Sequence, residues 1–140
     1  MTEKILIIDD ETDIRDYLMA VLEDHGYVTY GVDENESILE AVMELRPDLV
    51  VLDIMMPDRS GISVYRELRT TPETAHIPIA LLTGVNSGTI YLRTAISQFL
   101  EKDSIPPPNW FIEKPIDIPV LLSSISSLFD ERRDPPDVAP

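Results

Sequence analysis

At 140 residues the chain has the length of one ordinary domain, enough to bury a core without disulfide or metal staples. An apolar fraction of 44% spread along the whole length excludes a disordered chain, and the lack of any cysteine excludes disulfides, thiolate nucleophiles and thiolate metal sites. A formal net charge of −15, from 11 Lys and Arg against 26 Asp and Glu, disfavours direct binding to nucleic acid or an anionic membrane and leaves proteins or cations as partners.

The chain opens with a short apolar run, Lys4 to Asp9, in which Ile5, Leu6, Ile7 and Ile8 follow one another without alternation. That is the pattern of a strand covered on both faces. From Thr12 to His25 the apolar positions Ile14, Leu18, Val21 and Leu22 recur at helical spacing, and Gly26 stands where a left-handed C-terminal cap would fall. Tyr27 to Val32 is a second strand. Asp33 with Glu36 three residues later resembles a capping box and predicts the start of a helix carrying Ile38, Val42 and Leu45, which Pro47 ends. Asp48 to Asp53, "DLVVLD", is a third strand that, like the first, ends in acid.

A helix is expected over Ile62 to Arg69 with Tyr65 and Leu68 facing inward. His76 to Gly84 is a fourth strand in which Pro78 is tolerable only near the start. Leu92, Ala95, Ile96, Phe99 and Leu100 predict a fourth helical stripe, interrupted by "SIPPPNW". Trp110 to Pro115 is a fifth strand, and Asp117 opens a last helix with Leu121, Leu122, Ile125, Leu128 and Phe129 inward. Five buried strands alternating with five helices predict an α/β fold, a doubly wound five-stranded parallel sheet of flavodoxin-like (βα)5 type with strand order 2-1-3-4-5. The domain is expected over 1–130, with 131–140 a proline-rich acidic tail or the start of a linker. No apolar run approaches bilayer-spanning length, and the acidic N-terminus is unlike a secretory leader, so the expected location is the cytoplasm.

In such a sheet ligands bind beyond the carboxyl ends of the strands. Those ends carry Asp9 and Asp10, Asp53, Thr83 and Lys114. Taken singly, any of these acids is better read as a helix cap or a strand terminus. Taken together they are three carboxylates, a hydroxyl and an ammonium on one edge. Clustered carboxylates repel one another unless a cation offsets them. Asp10 and Asp53 offer hard oxygen ligands too few for a calcium cage but suited to Mg²⁺, which keeps waters and accepts phosphate oxygens. A carboxylate is a competent covalent acceptor of phosphate, and Lys114 suits the charge of an incoming phosphoryl group.

The strings "IIDDE" at Ile7 to Glu11, "LDIMMPDRSG" at Leu52 to Gly61, "LLTG" at Leu81 to Gly84 and "EKP" at Glu113 to Pro115 fall in this order at successive strand ends. In this the chain resembles the receiver domain of two-component response regulators, from about Lys4 to Phe129. The resemblance implies that Asp53 accepts phosphate from a phosphohistidine on a sensor histidine kinase or phosphotransfer protein. It also implies that Asp10, Asp53 and the backbone carbonyl of Met55 bind Mg²⁺, with Asp9 acting through a water. Thr83 and Lys114 would engage the phosphoryl oxygens, Phe111 would occupy an aromatic switch position, and the bond before Pro115 would be cis. The implied output is the face made by the fourth helix, fifth strand and fifth helix, which would meet a downstream protein, and a homodimer is left open.

The chain departs from the family where Thr83 and Lys114 are separated by extra length around "QFLEKDSIPPPNW", so no family dimer mode is carried over. Phe111 lacks the hydroxyl of a tyrosine, so a switch there runs on packing alone. Met55 and Val85 cannot orient an attacking water, which predicts slow self-dephosphorylation. As a switch the protein is expected to catalyse only its own phosphorylation and dephosphorylation. One alternative is a receiver-like binding module whose output ignores phosphate. Another, an aspartate-nucleophile phosphohydrolase, is disfavoured because Asp9 does not open a D-x-D motif and 140 residues leave no room for a cap domain.

Overall fold

The computed structural model of the protein describes residues 2–32, 37–54, 56, 60–84 and 89–133. The elements, in chain order, are β1 (Lys4–Ile8), α1 (Thr12–Asp24), β2 (Val28–Gly31), α2 (Ile38–Leu45), β3 (Leu49–Asp53), α3 (Gly61–Thr70), β4 (Ile79–Thr83), α4 (Thr89–Lys102), β5 (Trp110–Glu113) and α5 (Ile118–Arg133). All strand pairs are parallel and the sheet order is β2-β1-β3-β4-β5, as the alternating pattern predicts.

The three central strands are buried on both faces, which is why they are apolar at every position except Lys4, Asp53 and Thr83 at their ends, whereas edge strands β2 and β5 mix exposure with burial. One face carries Leu6, Ile8, Val50, Leu52, Ile79 and Leu81 against residues of α2, α3 and α4. The other carries Ile5, Ile7, Leu49, Val51, Ala80 and Leu82 against α1 and α5. The period-two alternation of side chains sends each strand's apolar residues in turn to the two layers.

Register then sets the position of the polar residues. Ile8 pairs with Leu52, Asp53 with Leu82, and Thr83 with Glu113. Asp53 and Thr83, which end their strands, and Asp9 and Lys114, which directly follow theirs, therefore lie at nearly one level, at the carboxyl edge of the sheet.

Several boundaries differ from the sequence expectation, each for a local reason. The start of α2 is Ile38, capped by Ser37 whose hydroxyl accepts from Glu40 N at 3.3 Å; the Asp33 and Glu36 pair lies outside the described residues. β4 begins at Ile79 rather than His76, because Pro78 offers no N–H to a ladder, although its carbonyl accepts from Val50 N. On α4 only Ile96 and Leu100 of the expected stripe are buried among the described side chains, and Phe99 stands 46% exposed. α5 runs to Arg133, beyond the expected end of the domain at residue 130. Its start is as expected, with Asp117 Oδ1 accepting from Val120 N at 3.1 Å.

The α4–β5 connection is held by α3. Arg69 donates from Nη1 to the carbonyls of Ala75 (3.1 Å) and Ile77 (2.6 Å), from Nη2 to Asn109 Oδ1 (3.1 Å) and from Nε to the Tyr65 hydroxyl (3.1 Å). The fully buried Tyr65 in turn donates to the carbonyl of Pro106 at 2.7 Å. Asn109 completes the tie by accepting from Ile79 N at 2.9 Å and donating its own N–H to Ile79 O.

Candidate phosphoryl-acceptor site

Asp53 is the last residue of β3 and is 1% exposed. A carboxylate is kept there because the strand ends at that residue, so its side chain reaches the sheet edge while its backbone stays in the ladder. Gly61, the first residue of α3, packs directly behind it: a Cβ at that position would fall 2.3 Å from Ile54 Cα and 2.4 Å from the Asp53 carbonyl oxygen. Backbone meets backbone here, so only glycine fits without moving the acid.

Asp9 follows β1 and is likewise buried. Its Oδ1 accepts from Glu11 N at 2.9 Å. Burial, with the neighbouring Asp53 charge in support, pushes the Asp9 carboxyl up to about 6 against the opposing pull of the Glu11 N–H and Lys114.

Lys114, just past β5, brings its ammonium to three carboxylates: Asp9 Oδ2 at 3.3 Å, Asp53 Oδ2 at 3.3 Å and Glu11 Oε1 at 3.2 Å. Burial opposes its charged form, but the Asp53 and Asp9 charges outweigh that and raise its pKa. The peptide bond from Lys114 to Pro115 is cis.

Thr83 ends β4, fully buried, and its hydroxyl donates to the carbonyl of Ile112 over a long 3.4 Å. Phe111 pairs with Leu81 across the β4–β5 ladder and packs, half-buried, against the layer that contains α4. Met55, expected to offer its carbonyl, and Val85 lie outside the described residues.

One carboxylate oxygen from each of Asp9, Asp10 and Asp53 lies within 4.8 Å of the other two. Oδ2 of Asp9 and Oδ1 of Asp10 are shielded from solvent without a hydrogen-bond partner among the described residues, the Lys114 contact to the former being an ion pair without hydrogen-bond alignment. Buried acceptors left in that condition are costly, and a cation is the partner that satisfies several at once. Oxygens bound directly to one Mg²⁺ sit at most about 4.2 Å apart, twice a bond of about 2.1 Å, so the spacing of this cluster suits the ion with Asp10 and Asp53 as direct ligands and Asp9 reaching it through a water.

Asp9, Asp53, Thr83 and Lys114 are thus brought to one edge with Asp10 beside them, as the strand-end reading expects. Two participants were visible only as letters of a motif. Gly61 is required by a backbone approach that no periodicity signals, and Glu11 reaches Lys114 across 103 positions of sequence.

Residues 5–126 match the family described as the response regulator receiver domain. Among curated relatives, the protein named DNA-binding response regulator MtrA from Mycobacterium tuberculosis is 41% identical over 83 residues, covering 59% of this chain and 35% of that protein. Its namesake from Mycobacterium leprae is equally similar, and the chain spans about a third of the length of these relatives. Among solved structures, the signal receiver domain of a signal transduction histidine kinase from Syntrophus aciditrophicus superposes with a TM-score of 0.77 at 26% identity, covering 99% of this chain and 98% of that one. The chemotaxis response regulator CheY4 of Vibrio cholerae shares the fold, with a TM-score of 0.72 at 22% identity over 91% of this chain and 99% of that one.

Proposed function

Because the chain belongs to the response regulator receiver domain family, and so is a receiver of two-component signal transduction, we propose that Asp53 is its phosphoacceptor. The observation that carries the proposal is the placement of the Asp53 carboxylate at the open edge of the sheet, 3.3 Å from the Lys114 ammonium and within one cluster with Asp9 and Asp10.

A carboxylate oxygen of Asp53 attacks the phosphorus of a phosphohistidine on a sensor histidine kinase or phosphotransfer protein. The P–N bond breaks and the imidazole nitrogen leaves with its electron pair. The donor set of Asp10, Asp53, the Met55 carbonyl and, through a water, Asp9 suits Mg²⁺, which supplies charge neutralisation for the transferring group. Lys114 keeps its ammonium beside the nucleophile and pairs with a phosphoryl oxygen once the group arrives. The Thr83 hydroxyl exchanges its weak bond to Ile112 for a second phosphoryl oxygen.

The acyl phosphate carries roughly 1.5 to 2 negative charges where the carboxylate carried one, a net gain of about one or less, and it brings new acceptor oxygens. Drawing Thr83 toward them biases the chain that follows β4, and Phe111, packed on the same layer, responds by repacking. The face of α4, β5 and α5 carries the change to a downstream protein.

Intact mass after incubation with Mg²⁺ and acetyl phosphate tests the proposal. The wild type gains one phosphoryl group and Asp53→Ala gains none. Uptake by both proteins, or by neither while the donor stays intact, would count against Asp53 as the acceptor.

A further inference from the structure

The Lys114 ammonium is shared among three carboxylates, and the three are not alike. The side chains of Asp9 and Asp53 are 0% and 1% exposed, whereas that of Glu11 is 59% exposed. Glu11 occupies the N-cap position of α1 yet its side chain makes no capping hydrogen bond. That is a poor use of a position where a short polar side chain normally accepts from the helix's first turn. Its backbone is anchored, N–H to Asp9 Oδ1 at 2.9 Å, and its carboxylate is turned from the helix toward Lys114, with Oε1 3.2 Å from Nζ.

Resting on the reading of Asp53 as phosphoacceptor, we propose that Glu11 is a positioning residue for phosphoryl transfer, a releasable counter-ion that holds Lys114 until the phosphoryl group takes its place. The ammonium donates to Glu11 and Asp53 and is ion-paired with Asp9, so an incoming phosphoryl oxygen competes with these anions for its charge and its donors. Asp9 and Asp53 are fixed by burial. Glu11 alone can swing into water, where its negative charge is solvated and the pair it leaves is of the weak, exposed kind. Until it leaves, Glu11 both occupies Lys114 and repels the incoming anion. The chain therefore sets its affinity for phosphodonors below what Asp53 and Lys114 would give by themselves.

The test uses wild type, Glu11→Gln, and Asp24→Asn as a charge control at the exposed far end of α1. Beryllofluoride, a non-covalent phosphoryl mimic, is titrated in the presence of Mg²⁺ and followed by the fluorescence of Trp110, the single tryptophan of the chain, on β5. In parallel, phosphorylation rates are measured against acetyl phosphate concentration. In that reaction an Asp53 oxygen bonds to phosphorus as acetate departs with the electron pair of the broken P–O bond.

Glu11→Gln is expected to bind beryllofluoride about 1.5- to 5-fold more tightly at low ionic strength, with a matching fall in the half-saturating donor concentration. The difference shrinks as salt screens the exposed charge, and Asp24→Asn matches wild type. A wild type that is phosphorylated while Glu11→Gln binds the mimic equally or more weakly would overturn the role of Glu11 and leave Asp53 standing. A wild type that takes up neither phosphoryl group nor mimic would overturn both.

Discussion

Burying Asp9 beside Asp53 makes its protonated form the more comfortable one in the folded protein, and stability acquires a pH dependence opposite to that of a salt-bridged carboxylate. The Asp9 carboxyl titrates near its ordinary value of 3.8 when unfolded and is pushed up to about 6 when folded, so between those values the native state holds more protons. Its contribution to stability is therefore greatest at low pH, declines as pH rises from about 4 to about 6, and is flat above that. Removing the charge with Asp9→Asn should flatten this decline. Urea unfolding in chelator at pH 4.5 and pH 7 should show the variant gaining on wild type at the higher pH; an unchanged difference would contradict the assignment. Adding Mg²⁺ should raise the wild-type midpoint at pH 7 more than at pH 5, because protons and the cation compete for the same oxygens. At the same scale, the residues two past Asp53 and Thr83 in sequence are the apolar Met55 and Val85, which predicts slow hydrolysis of the phosphoryl group. The phosphoprotein is expected to persist for minutes or longer by mass, and loss within seconds would contradict that account.

The elements differ in how much of them the chain declares. β1, β3 and β4 are legible because full burial demands an unbroken apolar run, and the two acids that interrupt such runs mark their ends. Helix starts are less legible, since Asp33 and Ser37 are both residue types that cap helices, and it is the Ser37 hydroxyl that caps α2. The α4 stripe misleads at Phe99, whose ring lies under the Arg66 guanidinium at 5.4 Å rather than in the core, because a helical period counts apolar residues without knowing how wide the buried stripe is. Two contacts between elements carry predictions. Gly61→Ala forces the β3–α3 connection away from Asp53, an overpacking cost of about 1 to 3 kcal/mol, and should slow phosphorylation more than its loss of stability explains. Arg69→Ala removes a charged donor from two backbone carbonyls and Asn109, costing about 1.5 to 3 kcal/mol. It should speed amide hydrogen exchange at Ser104 and Ile105, in the connection before β5. A midpoint and exchange pattern equal to wild type would show the tie to be idle.

Across the whole molecule the excess of acid outweighs any single pair. A formal charge of −15 on 140 residues repels itself in the compact state, so moving from 10 mM to 150 mM NaCl should raise the thermal midpoint by a few degrees, given that 1 kcal/mol shifts a domain of this size by about 2 to 8 °C. A midpoint that falls with salt would mean that net attraction dominates instead. The topology was legible at this scale because strict strand and helix alternation admits few arrangements. The site was legible because parallel strands in register bring their carboxyl ends to one edge. What sequence could not convey is the sharing of Lys114: Glu11, Asp9 and Asp53 meet it through register and burial, neither of which is a property of local spacing.

The central claim is that the phosphoryl group resides on Asp53, and the most direct test is to locate it chemically. Phosphorylated protein is reduced with borohydride, which converts an aspartyl phosphate to homoserine, and its peptides are sequenced by tandem mass spectrometry. The account predicts homoserine at position 53, dependent on Mg²⁺ during phosphorylation and absent without donor. Homoserine at Asp9 or Asp10, or a stable phosphate on a serine or threonine, would contradict it.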